Sequence, residues 1–449
     1  MVDAASNGDG KMSLTAKVIV GLVGGIILGL AINILGLNPA GGFVETYITN
    51  GLFHVVGKMF VNALKMMVVP LVLFSLICGV CGIGDIKTLG RVGSKSFGLY
   101  ILTTAVAIAV AIIIASISGI GTGMQMAADT AFSGREAPPL SQVLIDIIPN
   151  NPVNALSEGE MLQIIFFAIL MGVCILMVGK EAKKVVELVE VLNEIMMKMV
   201  TLIMEIAPYA VFCLIAKAMA NLGLGLFVEL IGYVVVLIAI LLLHLFVVIP
   251  TILKVFSGLN IVTFMKKARN MQVFAFSTAS SNATIPVTLR TVTERMGVKN
   301  SVGSFTVPFG ATINMDGTAI MQGVATVFIA NIYGIDLGVG GFLTVILMAV
   351  LASIGTAGVP GVGLIMLSMV FAQVGLPLEG IGLILGVDRL LDMVRTAVNV
   401  TGDAAVSCIV AKSEGKLDES IFNDPTAGVV THVEIDHDAE KELADIAKG

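Results

Sequence analysis

Residues 387–403 read VDRLLDMVRTAVNVTGD and set five ionisable side chains, Asp388, Arg389, Asp392, Arg395 and Asp403, in an otherwise apolar segment. At about 100° per residue, Asp388, Asp392, Arg395, Thr396, Asn399 and Asp403 fall on one face of a helix. Leu390, Met393, Val394, Ala397 and Thr401 take the other face, which suits packing on helices or lipid. Each Asp or Arg at the centre of a membrane-spanning helix costs about 2.5–3.5 kcal/mol on insertion scales, so several aimed one way imply partners, water or ions. The stripe reads as an inward-facing site, and the plain alternative is a structural salt-bridge ladder.

The rest of the chain is the setting this helix needs. Of 449 residues, 57% are hydrophobic and 13% charged, and the mean hydropathy is +0.99. Apolar runs repeatedly reach the roughly 20 residues that a spanning helix requires. Strand-like alternation is scarce, so helices rather than a barrel must satisfy the backbone. The fold class is an all-α polytopic membrane protein. The net charge of −6 carries no basic signature for nucleic acid. Cys78, Cys81, Cys174, Cys213 and Cys408 sit in apolar segments without zinc-like spacing to histidine and read as small core residues. Residues 1–12 form a polar tail with no cleavable leader pattern.

Helices are expected near 13–36, 50–83, 92–120, 148–179, 187–219 and 226–256, then at 299–332 and 378–413, with interrupted apolar stretches at 258–293 and 337–374. Loop 121–147 reads as a flexible linker. Lys and Arg cluster at Lys11 and Lys17, at Lys87, Arg91 and Lys95, at Lys180, Lys183 and Lys184, and at Lys254, Lys266, Lys267 and Arg269. By the positive-inside rule both termini are cytoplasmic. Lys299 and Lys412 then require each interrupted stretch to return to the side it entered. Their breaks, FSTASSNATIP at 276–286 and SIGTAGVPGVG at 353–363, leave halves too short to span. They read as two re-entrant helical hairpins entering from opposite faces, the pattern of inverted repeats around a midplane site. The expectation is eight transmembrane helices plus two hairpins, with residues 414–449 an acidic, disordered tail.

Between the hairpins, GATINMDGT at 310–318 places two glycines, Asn314 and Asp316 in an apolar helix. Local unwinding there would free carbonyl oxygens beside hard oxygen side chains, a shell suited to a small cation. Ser280, Ser281, Asn282 and Thr284 at the first tip, and Ser353, Thr356 and Gly358 at the second, offer hydroxyls and half-helix N-termini that favour an anionic group. Arg395 suits a carboxylate bound bidentately and Asp392 an ammonium. Two carboxylates and one amine describe an acidic amino acid.

The stretches SSNATIPVT, GATINMDGTA, SIGTAGVPGVG and LDMVRTAVNVTGD, with looser matches at IIPNNPVNAL and MLQIIFFAIL, resemble the dicarboxylate/amino acid:cation symporter family, prokaryotic relatives of excitatory amino acid transporters. The resemblance covers nearly the whole chain outside the tails. It implies a secondary active symporter in a bacterial inner membrane, taking up aspartate or glutamate with sodium as coupling ion by an elevator-type motion. It also implies a homotrimer. Scaffold helices would occupy 13–83 and 148–219, and the transport domain 92–120 and 226–413. Carried over by motif, the substrate contacts are Ser280, Ser281, Thr318, Val359, Gly363, Asp392, Arg395, Thr396 and Asn399. The implied sodium ligands are Gly310, Asn314, Asn399 and Asp403; Thr312, Ser353, Ile354 and Thr356; and Tyr100, Thr103 and Thr104 with Asn314 and Asp316.

Two positions that carry arginine in some members are Ala279 and Met393 here, while Arg389 one turn before Asp392 resembles proton-coupled relatives. The alternative is therefore a proton-coupled glutamate or C4-dicarboxylate symporter. An intramembrane aspartyl protease fits poorly because residues 400–403 read VTGD rather than GxGD, and a pure anion channel would not need the coupled constellation. No enzymatic activity is expected.

Overall fold

The computed structural model of the chain describes residues 14–81, 89–123, 145, 147–354, 358 and 360–428. Among these it is all-helical, with one isolated bridge, Val298 to Leu417, in place of any sheet. The first half comprises α1 (Leu14–Ile34), α2 (His54–Cys81), α3 (Ser94–Ser118), α4 (Met161–Val178), α5 (Lys183–Glu205), α6 (Ala207–Leu243) and α7 (Ile249–Ser257). Among the described residues five helical runs are long and apolar enough to cross a membrane.

Two of those runs hold more than one element. Gln163–Glu205 passes through a tight turn at Gly179–Ala182, and Ala207–Ser257 breaks at Gly223, whose φ of 63° and ψ of −149° interrupt α6. The expected helix 187–219 instead begins at Lys183 and turns at Ile206, where Pro208 enters the first turn of α6 and cannot donate to the preceding turn. The expected helix 148–179 is likewise two pieces. Asn151 caps the short helix Pro152–Glu158 by accepting from Val153 and Asn154 N–H, and left-handed Gly159 (φ 74°) ends it.

α1 lies along α6 at backbone contact. A Cβ built on Gly21, Gly25 or Gly29 would stand 2.4, 2.7 or 2.6 Å from the carbonyl oxygens of Pro208, Phe212 and Ala216. A glycine every fourth residue lets two apolar helices approach closely where lipid offers no hydrophobic drive to associate. α2 packs against α4, α5 and α6. Of the cysteines, Cys174 is exposed on α4 rather than in the core.

The second half is α8 (Ile261–Thr278), α9 (Ser281–Arg290), α10 (Asn300–Ile313), α11 (Asp316–Tyr333), α12 (Gly338–Ser353), α13 (Val362–Gln373) and α14 (Ile381–Ser413). Each expected interruption is a break between two helices. At the first, Ala279 adopts φ 49°, a left-handed conformation costing a non-glycine residue about 1–2 kcal/mol, and Ser280 then caps α9 by accepting from Ala283 N–H at 3.2 Å. α14 runs through the middle of this half, packed on α8, α10, α11 and α7, with its polar stripe buried.

The tail departs from expectation. Residues 414–428 are ordered, and α15 (Glu419–Asn423) docks fully buried Phe422 beneath the first broken pair. Lys267 fixes it by donating to the carbonyls of Arg295 (2.5 Å) and Ile421 (2.6 Å). A short hydrophobic anchor inside an acidic stretch outweighs the disorder its composition suggests. Residues 429–449, like 1–12, lie outside the described residues.

Candidate functional site

The two tips meet. Ser280 Oγ donates to Gly358 O at 2.7 Å and Asn282 N–H donates to the same oxygen at 3.1 Å. Gly358 is required by this crossing, since a Cβ on it would lie 2.7 Å from Asn282 Oδ1 and 2.9 Å from Ala311 O. Ser281 is buried behind the contact. Val359 and Thr356, assigned to substrate and ion from the sequence, lie outside the described residues.

Beneath the tips the α14 stripe is an ion triad. Arg395, fully buried, donates through Nη1 to Asp388 Oδ1 at 2.7 Å and through Nη2 to Asp392 Oδ1 at 2.8 Å. Asp392 also accepts from Gly361 N–H at the second tip, at 3.3 Å. Arg395 Nε is buried with no hydrogen-bond acceptor, a donor left over where buried donors are ordinarily satisfied. Sequence reasoning gave Arg395 to a substrate carboxylate and Asp392 to an amine; here the two hold each other, and Asp388, absent from the expected site, is the second clamp. Gly363 stands between Thr318 and the same guanidinium: a Cβ on it would lie 3.2 Å from Thr318 Cγ2 and 3.5 Å from Arg395 Nη2. Thr396 Oγ1 donates to Asp392 O within its own helix.

Two turns further along α14 lies a second cluster. The helix breaks at GATINMDGT as expected: α10 ends at Ile313, Asn314 and Met315 leave helical geometry, and α11 starts at Asp316. Asn399 bridges the break, its Oδ1 accepting from Gly317 N–H at 2.8 Å and its Nδ2 donating to Met315 Sδ at 3.3 Å. Asn314 Nδ2 donates to Asp403 Oδ1 at 2.9 Å and to Asn399 O at 3.2 Å. Gly310 must be glycine, because a Cβ there would fall 2.4 Å from Asp403 Oδ1 and 2.6 Å from the Tyr100 hydroxyl. From α3, Thr104 and Thr103 donate to Asp316 Oδ1 at 2.7 and 3.2 Å, and Thr103 also reaches Asn314 Oδ1 at 3.4 Å. Tyr100 donates to Thr306 O at 2.9 Å.

Sequence reasoning missed His244. Fully buried, its Nε2 donates to Asp316 Oδ2 at 3.1 Å while Nδ1 has no partner. A lone histidine in the run LLLHLFVV was the available signal. Asp316 thus receives hydrogen bonds on both oxygens, which fixes its plane toward Thr103 and Asn314.

Asp316 and Asp403 are both buried, and among the described residues no Lys or Arg reaches either. No group of three or more His, Cys, Asp or Glu side chains gathers among the described residues as a transition-metal site would need. What does gather is a set of hard oxygen donors: two carboxylates with amide and hydroxyl oxygens. Of the remaining expected ion ligands, Ser353 donates to Val350 O at 2.7 Å, Thr312 to Pro308 O at 2.9 Å, and Ile354 is buried at the end of α12.

The sequence model of the Sodium:dicarboxylate symporter family matches residues 14–413. The chain is 34% identical over 419 residues to the proton/sodium-glutamate symport protein of Geobacillus stearothermophilus, covering 91% of this chain and 96% of that one. It is 33% identical over 420 residues to the proton/glutamate-aspartate symporter of Escherichia coli (strain K12), covering 91% and 94%. It is 33% identical over 404 residues to an excitatory amino acid transporter of Caenorhabditis elegans, covering 79% and 80%.

Proposed function

The chain belongs to the sodium:dicarboxylate symporter family, and we propose that this multi-pass membrane transporter takes up aspartate or glutamate together with sodium ions. The observation carrying this reading is the buried Asp388–Arg395–Asp392 triad directly under the crossed tips. A substrate carboxylate arriving there takes the leftover Nε donor of Arg395. The substrate ammonium replaces the guanidinium as partner of Asp392, while Asp388 keeps Arg395 in place. Arg395 thus keeps two anionic partners and Asp392 keeps a cationic one, so none of the three buried side-chain charges is left unpaired. Ser280, Ser281, Thr318, Val359, Gly363, Thr396 and Asn399 complete the substrate contacts in this reading. Sodium ions enter the cation-poor cluster of Asp316 and Asp403 with Tyr100, Thr103, Thr104, Gly310, Asn314 and Asn399. A further ion joins Thr312 to Ser353, Ile354 and Thr356.

The same reading gives the finer architecture. Eight spanning helices and two re-entrant hairpins, α8–α9 and α12–α13, form inverted repeats, with both termini cytoplasmic in a bacterial inner membrane. α1, α2, α4, α5 and the part of α6 before Gly223 make a scaffold in a homotrimer, and the remaining helices move against it as an elevator. The test is uptake of radiolabelled aspartate and glutamate into proteoliposomes under separately imposed sodium, proton and potassium gradients. Uptake that follows sodium supports the proposal. A second reading, proton-coupled transport of glutamate or a C4-dicarboxylate, is favoured by the names of relatives such as the Escherichia coli symporter, and uptake driven by a pH gradient without sodium would establish it instead.

A further inference from the structure

A cavity of about 680 Å³ opens where the start of α1, the second half of α5, the second tip and α14 converge. Lys17, Lys198 and Arg389 line it with one carboxylate, Glu205, among apolar surfaces that include Met204. None of these residues belongs to the site described above. Three cations against one anion in a concave, partly apolar cavity focus a positive potential on whatever enters.

Consecutive residues of the second tip meet the cavity and the ion triad. Pro360 faces the cavity. The next residue, Gly361, donates its N–H to Asp392 Oδ2 at 3.3 Å and is left-handed, with φ 87°. A Cβ on Gly361 would lie 3.2 Å from Met204 Sδ, so the tip rests directly on the cavity's other wall. On α14, Arg389 and Asp392 are separated by one turn, the first lining the cavity and the second inside the triad.

We propose that this cavity, at the cytoplasmic end where α1 begins, is a second, weaker station for the transported acidic amino acid on its cytoplasmic side of the site, in which Lys198, Lys17 and Arg389 hold its two carboxylates and Glu205 its ammonium. The cavity has ample room for a small organic diacid, and its three cations and one carboxylate match a molecule of two carboxylates and one amine. The inference rests on the acidic amino acid reading of the triad.

The test is stopped-flow binding of aspartate to the full chain in zwitterionic nanodiscs at saturating sodium, over a series of ionic strengths. Neutralising the station in a Lys17→Gln/Lys198→Gln variant slows association about tenfold and flattens its salt dependence, as loss of steering charges does. Lys198→Arg keeps the wild-type rate. An unchanged association rate in the double variant, while Arg395→Cys still abolishes binding, overturns the station and leaves the transport assignment intact. Slowing that Lys198→Arg reproduces points to a packing defect and overturns it as well. If phosphatidylglycerol in the nanodisc brings the wild-type rate down to that of the double variant, a lipid phosphate occupies the cavity and the proposal is wrong. Absence of aspartate and glutamate binding in the wild type would overturn the transport assignment itself.

Discussion

Two polar clusters share one face of α14 and differ in how their charge is met. Around Arg395, two carboxylates close on one guanidinium at 2.7 and 2.8 Å. Around Asp316 and Asp403, two buried carboxylates meet hydroxyls, an amide and the imidazole of His244, with no Lys or Arg among the described residues. The first cluster is partly compensated from within the protein, one guanidinium against two carboxylates, and can trade one partner for another. The second gains most from a cation that the protein does not itself supply. In the proposed function the substrate ammonium meets the excess carboxylate of the first cluster and sodium meets the second, which predicts that the two ligands stabilise the same arrangement of tips.

The largest effect follows from removing the cation of the compensated cluster. Arg395→Cys leaves Asp388 and Asp392 without their shared partner; breaking a buried ion pair from one side costs about 3–5 kcal/mol, so acidic substrate affinity falls by at least about a hundredfold. Sodium binding measured without substrate changes far less, because the Arg395 side chain pairs with Asp388 and Asp392 and, among the described residues, neither Asp316 nor Asp403 hydrogen-bonds to it. Calorimetry of both ligands on the variant checks this, and an aspartate affinity equal to that of the unmodified protein would remove Arg395 from the site.

A middle effect tests the uncompensated cluster through its orienting residue. His244→Ala frees one oxygen of Asp316 and costs about 1–3 kcal/mol where a buried acceptor loses its donor, which appears as roughly a tenfold or greater loss in sodium affinity. His244→Gln can restore a donor to Asp316 and recovers most of that loss. Equal affinities in both variants and the unmodified protein would show that His244 only fills space.

The smallest effect lies outside the membrane-spanning part, where α14 ends beside α3. Glu414 accepts from Lys95 and Arg91 at 2.6 Å, and the Lys95 hydrogen bond first, then Arg91, hold its carboxyl below the usual glutamate range. A lowered folded-state value means the contribution to stability is present above the ordinary glutamate pKa and is lost as pH falls through the lowered one. Glu414→Gln therefore gives a small drop in melting temperature at neutral pH that shrinks to nothing in acid, read by thermal unfolding across a pH series. A difference that grew toward low pH would reverse the assignment.

What the sequence disclosed about this site follows physical cost. The α14 stripe, GATINMDGT and the serine-rich tip stood out because charged or helix-breaking residues are expensive in apolar surroundings, and each lies where that expense pointed. The partners were less visible. Asp388 sits on the stripe, yet its pairing with Arg395 depends on how the guanidinium folds back along its own helix. His244 is a single polar letter whose meaning comes from α11, distant in sequence. The break at Ile206 was missed because uniformly apolar helices offer no periodic phase from which to read a boundary, whereas Gly223 falls in the expected gap between 219 and 226. The ordering of residues 414–428 rests on one buried phenylalanine and a lysine reaching two carbonyls, contacts that composition averages away.

The central claim, that the two clusters are coupled, is tested most directly by titrating aspartate over a series of sodium concentrations at constant ionic strength, with choline as the replacement. Coupling between two ligands is reciprocal, so substrate affinity should rise steeply with sodium, sodium affinity should rise by the same factor with substrate, and Asp403→Asn should show the shallower slope of a site that has lost one ion's carboxylate. An aspartate affinity that stays flat across sodium and follows pH instead would contradict the account.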